Sequence, residues 1–432
     1  MTNKCFNVIN LGCRVNLFES TAIIDLMIKA GFEYTKDIKK ASIFIINTCT
    51  VTMRADRKCR NLISRINKLP NKKVLVLVGC FSQINVEFAS QNAEIVLGNK
   101  FKSKIPEYIM QYNKEHARII KVIDISKERS FEDFGEHAFC ENTRPTIKIQ
   151  DGCDLMCSYC LIPFARGRKR SLGHTKALST IANLVKKGFY EIILTGINLV
   201  AYDDNGYTFY DLLKDINNLQ GNFRISVSSM EPFNFSYKIA DIMTANPNRF
   251  VQDYHICLQN ANNDVLKSMN RKYTVKDFAA LVKYIKSKNP YASITTDYIV
   301  GYKSETEQRH KDSLKNLDQM KLSFVNIFPY SERPKTVGSR IKSEVSDIDK
   351  SRRVKEVTLL CNKNTRKYLN KFINKIVTVY FEQSKEKHFQ VGHSQYFFRV
   401  YVKTKKNLHT QVHDVKVIKI DKDNRVIGKL VK

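Results

Sequence analysis

The chain has 432 residues, with 72 Lys or Arg against 42 Asp or Glu and a formal charge of +30 at neutral pH. That length exceeds one comfortable core and calls for two or three domains, 43% hydrophobic residues suffice to fill them, and no apolar run of about 18 residues offers a membrane span. So large a cationic excess points to a polyanion, nucleic acid before an anionic membrane surface; the eleven Cys, behind an N-terminus without a secretory layout, are expected to be reduced cytoplasmic thiols, some of them metal ligands.

Residues 1–125 alternate short β-branched runs (6–11, 43–46, 74–78) with helical periodicity at 18–29 and 55–69, the pattern of an N-terminal parallel βαβ domain. Each run ends in a thiol: Leu11-Gly12-Cys13, Asn47-Thr48-Cys49, Val78-Gly79-Cys80. In an open parallel sheet the strands' carboxyl ends face one crevice, so these three can converge. They read either as packed core cysteines or as ligands of one metal cluster beside helix N-termini. Residues 126–143 turn polar and form a linker.

Residues 144–371 repeat the alternation six times. Strand-like runs at 147–150, 191–195, 223–228, 254–259, 294–301 and 324–330 are separated by helical stretches such as 175–187, 209–219 and 275–286. This suits an open (β/α)6 barrel whose active site lies at the strands' C-terminal end. Directly after the first run stand Cys153, Cys157 and Cys160, spaced Cys-x3-Cys-x2-Cys, with Tyr159 before the last. The spacing fits an iron–sulfur cubane and supplies three of its four ligands. Zinc is the alternative, but structural zinc sites are normally closed by a fourth Cys or His, and none follows within a dozen residues. Arg166, Arg168, Lys169 and Arg170 come next and are candidates for phosphate contact. His255 reads as a core histidine or as one facing the site. Cys5, Cys59, Cys140, Cys257 and Cys361 read as structural thiols.

Residues 372–432 show five short alternating runs (375–383, 388–393, 397–403, 412–420, 426–431), the look of a small antiparallel β-barrel of oligonucleotide-binding type. From residue 370 onward 14 Lys or Arg face 5 acids, so RNA is the expected ligand, with Lys403, Lys405 and Lys406 as phosphate contacts. The rings of Tyr396, Phe397, Phe398 and Tyr401 suit stacking on bases, although at least half of them must serve the barrel's core.

The three-cysteine motif resembles the signature of the radical S-adenosylmethionine (SAM) superfamily. The whole chain resembles its methylthiotransferases, through Asn10-Leu-Gly-Cys13-Arg-Val-Asn16, Asn47-Thr-Cys49-Thr-Val-Thr, Val78-Gly-Cys80 and Ile162-Pro-Phe-Ala-Arg166-Gly167; the tail resembles the family's TRAM barrel. Cys-Thr-Val-Thr, Asp56-Arg-Lys and Ile-Pro-x-Ala-Arg-Gly are closest to the branch acting on tRNA N6-threonylcarbamoyladenosine-37. Sister branches act on isopentenyl-adenosine-37 or an aspartate of a small-subunit ribosomal protein. The resemblance implies a SAM-binding [4Fe–4S] cluster on Cys153, Cys157 and Cys160, with Tyr159, Thr195 and Gly196 near SAM. It implies an auxiliary [4Fe–4S] cluster on Cys13, Cys49 and Cys80. It further implies the tRNA anticodon stem-loop as partner, a reducing donor such as a flavodoxin system, a sulfur source, and a monomer. The family's Leu-Gln-Ser-Gly and Gly-Phe-Pro-Gly-Glu appear here as Leu258-Gln259-Asn260-Ala261 and Gly301-Tyr302-Lys303-Ser304-Glu305. Two glycines are thus replaced, and those loops are expected to differ. The rival reading, a non-catalytic RNA-binding or redox-sensing protein, would normally carry complete four-cysteine clusters. Another radical SAM reaction such as methylation would not call for the N-terminal triad or the basic barrel.

Overall fold

The first apolar runs become inner strands of a six-stranded, all-parallel sheet ordered Glu33–Tyr34, Cys5–Asn10, Ile43–Thr48, Val74–Gly79, Ile95–Leu97, Ile119–Lys121. This computed structural model describes residues 4–135, 143–343, 345–384, 386 and 388–431; residues 136–142 of the expected linker, Cys140 among them, lie outside the described residues. Ile43–Thr48 and Val74–Gly79 are buried along their whole length, which is why they read as continuous apolar runs rather than alternating ones. Three further strands of two or three residues went unread because they are too short to show a period. Helices Arg14–Lys29 and Met53–Asn67 start just past Cys13 and Cys49, and Thr52 caps the second by accepting the Ala55 N–H at 3.1 Å.

The second domain holds the six expected strands, Thr146–Lys148, Glu191–Thr195, Arg224–Val227, Asp253–His255, Ser293–Val300 and Phe324–Pro329. They pair in parallel as two groups of three, and the bridges Ile225–Phe250 and Met230–Ile256 connect the groups. No pairing joins the last strand to the first among the described residues, so the barrel is open. Ile192, Leu194, Ile225, Ile294 and Tyr298 belong to its buried core. Capping boxes at Thr208–Asp211 and Thr274–Asp277 start two of the outer helices.

Helix Asp347–Asn370 leads into the last domain and gives Tyr368 and Leu369 to its core. Five strands close there in the order Ile376–Phe381, Phe389–Ser394, Arg399–Lys403, Val426–Leu430, Val412–Ile420. The expected antiparallel barrel needs one correction: Arg399–Lys403 and Val426–Leu430 run parallel. A closed ring with an odd number of strands cannot alternate direction all the way round. Of the four aromatics, Phe398 is core and Tyr396 packs beside it at a 6.4 Å ring separation.

Candidate active site between three domains

Backbone geometry aims both thiol triads. Gly79, just before Cys80, has φ +96°, and a Cβ there would lie 2.6 Å from the Thr48 carbonyl oxygen. Gly152, just before Cys153, has φ +69°, and its Cβ would fall 1.9 Å from the Arg168 carbonyl oxygen. A side chain at either position would displace the following cysteine.

In the 153–160 loop each sulfur accepts one N–H. Leu155 N donates to Cys153 Sγ (3.4 Å), Ile162 N to Cys160 Sγ (3.4 Å), and the buried Arg271 guanidinium to Cys157 Sγ (3.3 Å). Arg271 also reaches the Tyr159 hydroxyl, Glu231 and the Cys257 carbonyl. Burial pushes the Cys153 thiol up to about 12, the Leu155 N–H opposing and Cys157 adding to the shift. At the strand ends of the first domain, burial and then Cys80 push Cys49 up to about 12. Asn99 Nδ2 lies 3.5 Å from Cys80 Sγ, and Asn16 Oδ1 3.7 Å from Cys13 Sγ. Sulfurs gathered in such places become thiolates only when a metal takes the protons' place. N–H donors to sulfur and a neighbouring guanidinium are what anionic thiolate ligands call for. The 153–160 loop meets this at all three sulfurs and the first triad at Cys80, through Asn99, so both remain candidates for a cluster. Cys59 donates to the Cys49 carbonyl (3.2 Å) and packs, as expected of a structural thiol.

The basic run after the loop divides. Arg168 and Lys169 are exposed near Asp154 and Asp203. Arg166 and Arg170 were expected as phosphate contacts, and the structure corrects both. Arg166 is fully buried, 2.9 Å from Asp151 and 3.0 Å from Glu19, with its other nitrogen 2.7 Å from Asn16 Oδ1. Arg170 is buried beside Asp151. Glu19 also binds Lys102 (2.5 Å) and Lys148 (3.2 Å), and Lys148 reaches Asp151 at 3.2 Å. Burial alone would raise the Glu19 and Asp151 carboxyls, but the cations hold both well below the usual range. This ion network ties the helix after Cys13 to the segments flanking Cys153 and Cys160. Asn99 adds a tie, donating at 2.7 Å to the Ala165 carbonyl.

A cavity of about 840 Å³ opens where the three domains meet. Cys13 and Arg14 line it from the first domain, Thr195, Gly196, Ser228 and His255 from the barrel's strand ends, and Phe397 and Tyr401 from the small barrel. His255 thus faces the site, 3.2 Å from Asp297. Lys403, Lys405 and Lys406 are exposed outside it. In the loops with replaced glycines, neither Ala261 nor Ser304 has a positive φ. Asn260 is buried and donates to Glu305 at 3.1 Å, and Lys303 reaches Glu332 at 2.6 Å. Glu19, Asp151, Asn99, Arg271 and Arg14 carried no role in the sequence reading, whereas Phe397 was among the barrel aromatics it named. Only Glu19 left a signal, an acid three residues beyond Asn16 on an otherwise apolar helix face.

The radical SAM superfamily matches residues 147–317, and the uncharacterized protein family UPF0004 matches residues 5–98. The chain is 32% identical to the threonylcarbamoyladenosine tRNA methylthiotransferase MtaB of Bacillus subtilis, over 95% of this chain and 92% of that protein. It is 29% identical to a tRNA-2-methylthio-N(6)-dimethylallyladenosine synthase of Staphylococcus haemolyticus, over 89% of this chain and 76% of that one. Its fold is shared with the radical SAM methyltransferase TsrM of Kitasatospora setae, at TM-score 0.57 and 15% identity over 78% of this chain and 75% of that one. With two thiol triads in order and relatives matched along nearly its whole length, the chain belongs to the radical SAM methylthiotransferase family.

Proposed function

We propose that this protein adds a methylthio group to position 2 of N6-threonylcarbamoyladenosine-37 in tRNA, with SAM and two [4Fe–4S] clusters as cofactors. The observation that carries the reading is the cavity: a thiol of the first triad, the strand ends beside the second and the basic barrel border one space large enough for a modified base. Cys153, Cys157 and Cys160 would hold the SAM-binding cluster, and Cys13, Cys49 and Cys80 the auxiliary one. Bound there, cluster and SAM supply the radical chemistry that an aromatic carbon without an acidic proton requires.

The chain's own part is to place and enclose. Thr195 and Gly196 form the wall assigned to SAM's amino acid end. Gly196 has no room for a side chain, since a Cβ would sit 2.9 Å from Gln150 Cβ. Arg271 holds Tyr159 and the Cys157 sulfur against Glu231. The buried network around Arg166 fixes the two cysteine loops relative to each other. Exposed Lys403, Lys405 and Lys406, with Arg168 and Lys169, would hold the phosphates of an anticodon stem-loop.

Among the relatives, the name of the Bacillus protein supports the threonylcarbamoyl substrate and that of the Staphylococcus protein the dimethylallyl (isopentenyl) one. Four arginines on the cavity wall favour the former, which carries a carboxylate. The enzyme would work as a cytoplasmic monomer with a flavodoxin-type reductant and a separate sulfur source. No helix among the described residues is long and apolar enough to cross a membrane. Reconstituted enzyme given anticodon stem-loops with either modification should methylthiolate the threonylcarbamoyl one. Comparable turnover of the isopentenyl loop, or none of the threonylcarbamoyl loop, would overturn the substrate assignment.

A further inference from the structure

A carboxylate on the substrate needs a cation inside the cavity, and the four arginines there are not equivalent. Arg144 is already engaged, 3.0 Å from Glu191 and 2.7 Å from Glu382. Arg399 and Arg425 are exposed on the rim, as is Asp423, the one acid among the lining residues. Arg14 is half-buried, and among the described residues no carboxylate lies within ion-pairing distance of it. Its contact is instead the Phe397 ring, whose centroid lies 5.5 Å from the guanidinium carbon, with Arg144 at 5.8 Å from the same ring. Two guanidinium groups thus lie over one ring, and of the two only Arg144 is ion-paired.

Phe397 is held there at a cost. It sits at φ +71°, a conformation rare for a bulky side chain, at the tip of the hairpin joining Phe389–Ser394 to Arg399–Lys403. The Phe397 N–H donates to the Ser394 carbonyl (3.0 Å), and the Phe397 carbonyl accepts from His393 Nδ1 (2.9 Å). Strain that the surroundings over-determine clusters at binding sites. Here it turns a ring of the RNA-binding barrel towards Arg14, the residue that follows a cluster-ligand candidate.

Resting on the substrate reading above, we infer that Arg14, stacked on Phe397, is the specificity-determining residue that binds the carboxylate of the threonylcarbamoyl arm. A guanidinium presents two parallel N–H groups that match a carboxylate. A partly desolvated cation without a partner disfavours an apolar arm, because filling the cavity would strip its remaining water without replacing it.

The test uses reconstituted full-length enzyme and two stem-loops, one with the free threonylcarbamoyl acid and one with its neutral methyl ester. Binding and product formation are measured for both. The unaltered enzyme should prefer the acid by about ten- to hundredfold, the usual worth of hydrogen bonds to a charged group. In Arg14→Gln the ratio should fall close to one. Arg14→Lys keeps the charge without the paired geometry, fits the same space, and should give an intermediate ratio. Equal treatment of acid and ester by the unaltered enzyme, or an undiminished ratio in both variants, would overturn the assignment of Arg14 while leaving the substrate reading standing. Failure of the unaltered enzyme to turn over the free acid would sink that reading and this inference with it.

Discussion

Replacing Glu19 by Gln tests whether the buried ion network couples the two cysteine loops. Glu19 and Asp151 together face Arg166, Lys102 and Lys148, all essentially without solvent access. With Arg170 beside Asp151, Glu19→Gln leaves four buried cations to one acid. Breaking a buried pair from one side costs about 3–5 kcal/mol, mostly through the charge left behind. Arg166→Met should cost less, because Lys102 and Lys148 still face Glu19 and Asp151. Burial opposes ionisation of Glu19, but its cations hold the carboxyl well below 4.5 in the folded chain. Its contribution is therefore complete above the unfolded value near 4.5 and fades as pH falls towards the folded one. The gap between wild type and Glu19→Gln should stay constant from pH 7 down to about 5.5 and narrow only below about 4.5. Urea unfolding followed by tyrosine fluorescence reads this, the chain having 20 Tyr and no Trp. A larger loss in Arg166→Met than in Glu19→Gln, or a gap that narrows towards neutral pH, would refute the reasoning.

Anaerobically reconstituted protein should bind about eight irons, as two cubanes require. Replacing Cys153, Cys157 and Cys160 by Ala should remove half the iron and all SAM cleavage, whereas the same change at Cys13, Cys49 and Cys80 should remove the other half and leave SAM cleavage measurable. Arg271→Met takes a positive charge and an N–H donor from Cys157 Sγ, so the potential of that cluster, followed by EPR-monitored titration, should become more negative; an unchanged potential would mean that the contact carries no electrostatic weight. Neutralising Lys403, Lys405 and Lys406 together should flatten the salt dependence of stem-loop binding by about two to three log–log units, and an unchanged slope would move phosphate binding elsewhere.

Much of the fold was legible, and the candidate cluster ligands stood out, because they sit in local motifs. Cys153, Cys157 and Cys160 lie within one loop, and Cys13, Cys49 and Cys80 stand at strand ends that a parallel sheet must bring together. Arg166 was misread as a surface cation because its partners Glu19 and Asp151 are 147 and 15 residues away, and a basic run looks the same buried or exposed. Arg271 stands 114 residues from the sulfur it contacts, so no spacing announces it. Phe397 could be told from its core neighbour Phe398 only by the left-handed turn that reverses its direction.

The most direct test is mass spectrometry of tRNA nucleosides from cells with and without the gene. Loss of the gene should abolish 2-methylthio-N6-threonylcarbamoyladenosine, let its unthiolated precursor accumulate, and leave isopentenyl-adenosine derivatives unchanged. Loss of the methylthio-isopentenyl nucleoside instead, or no change in any tRNA nucleoside, would contradict the assignment.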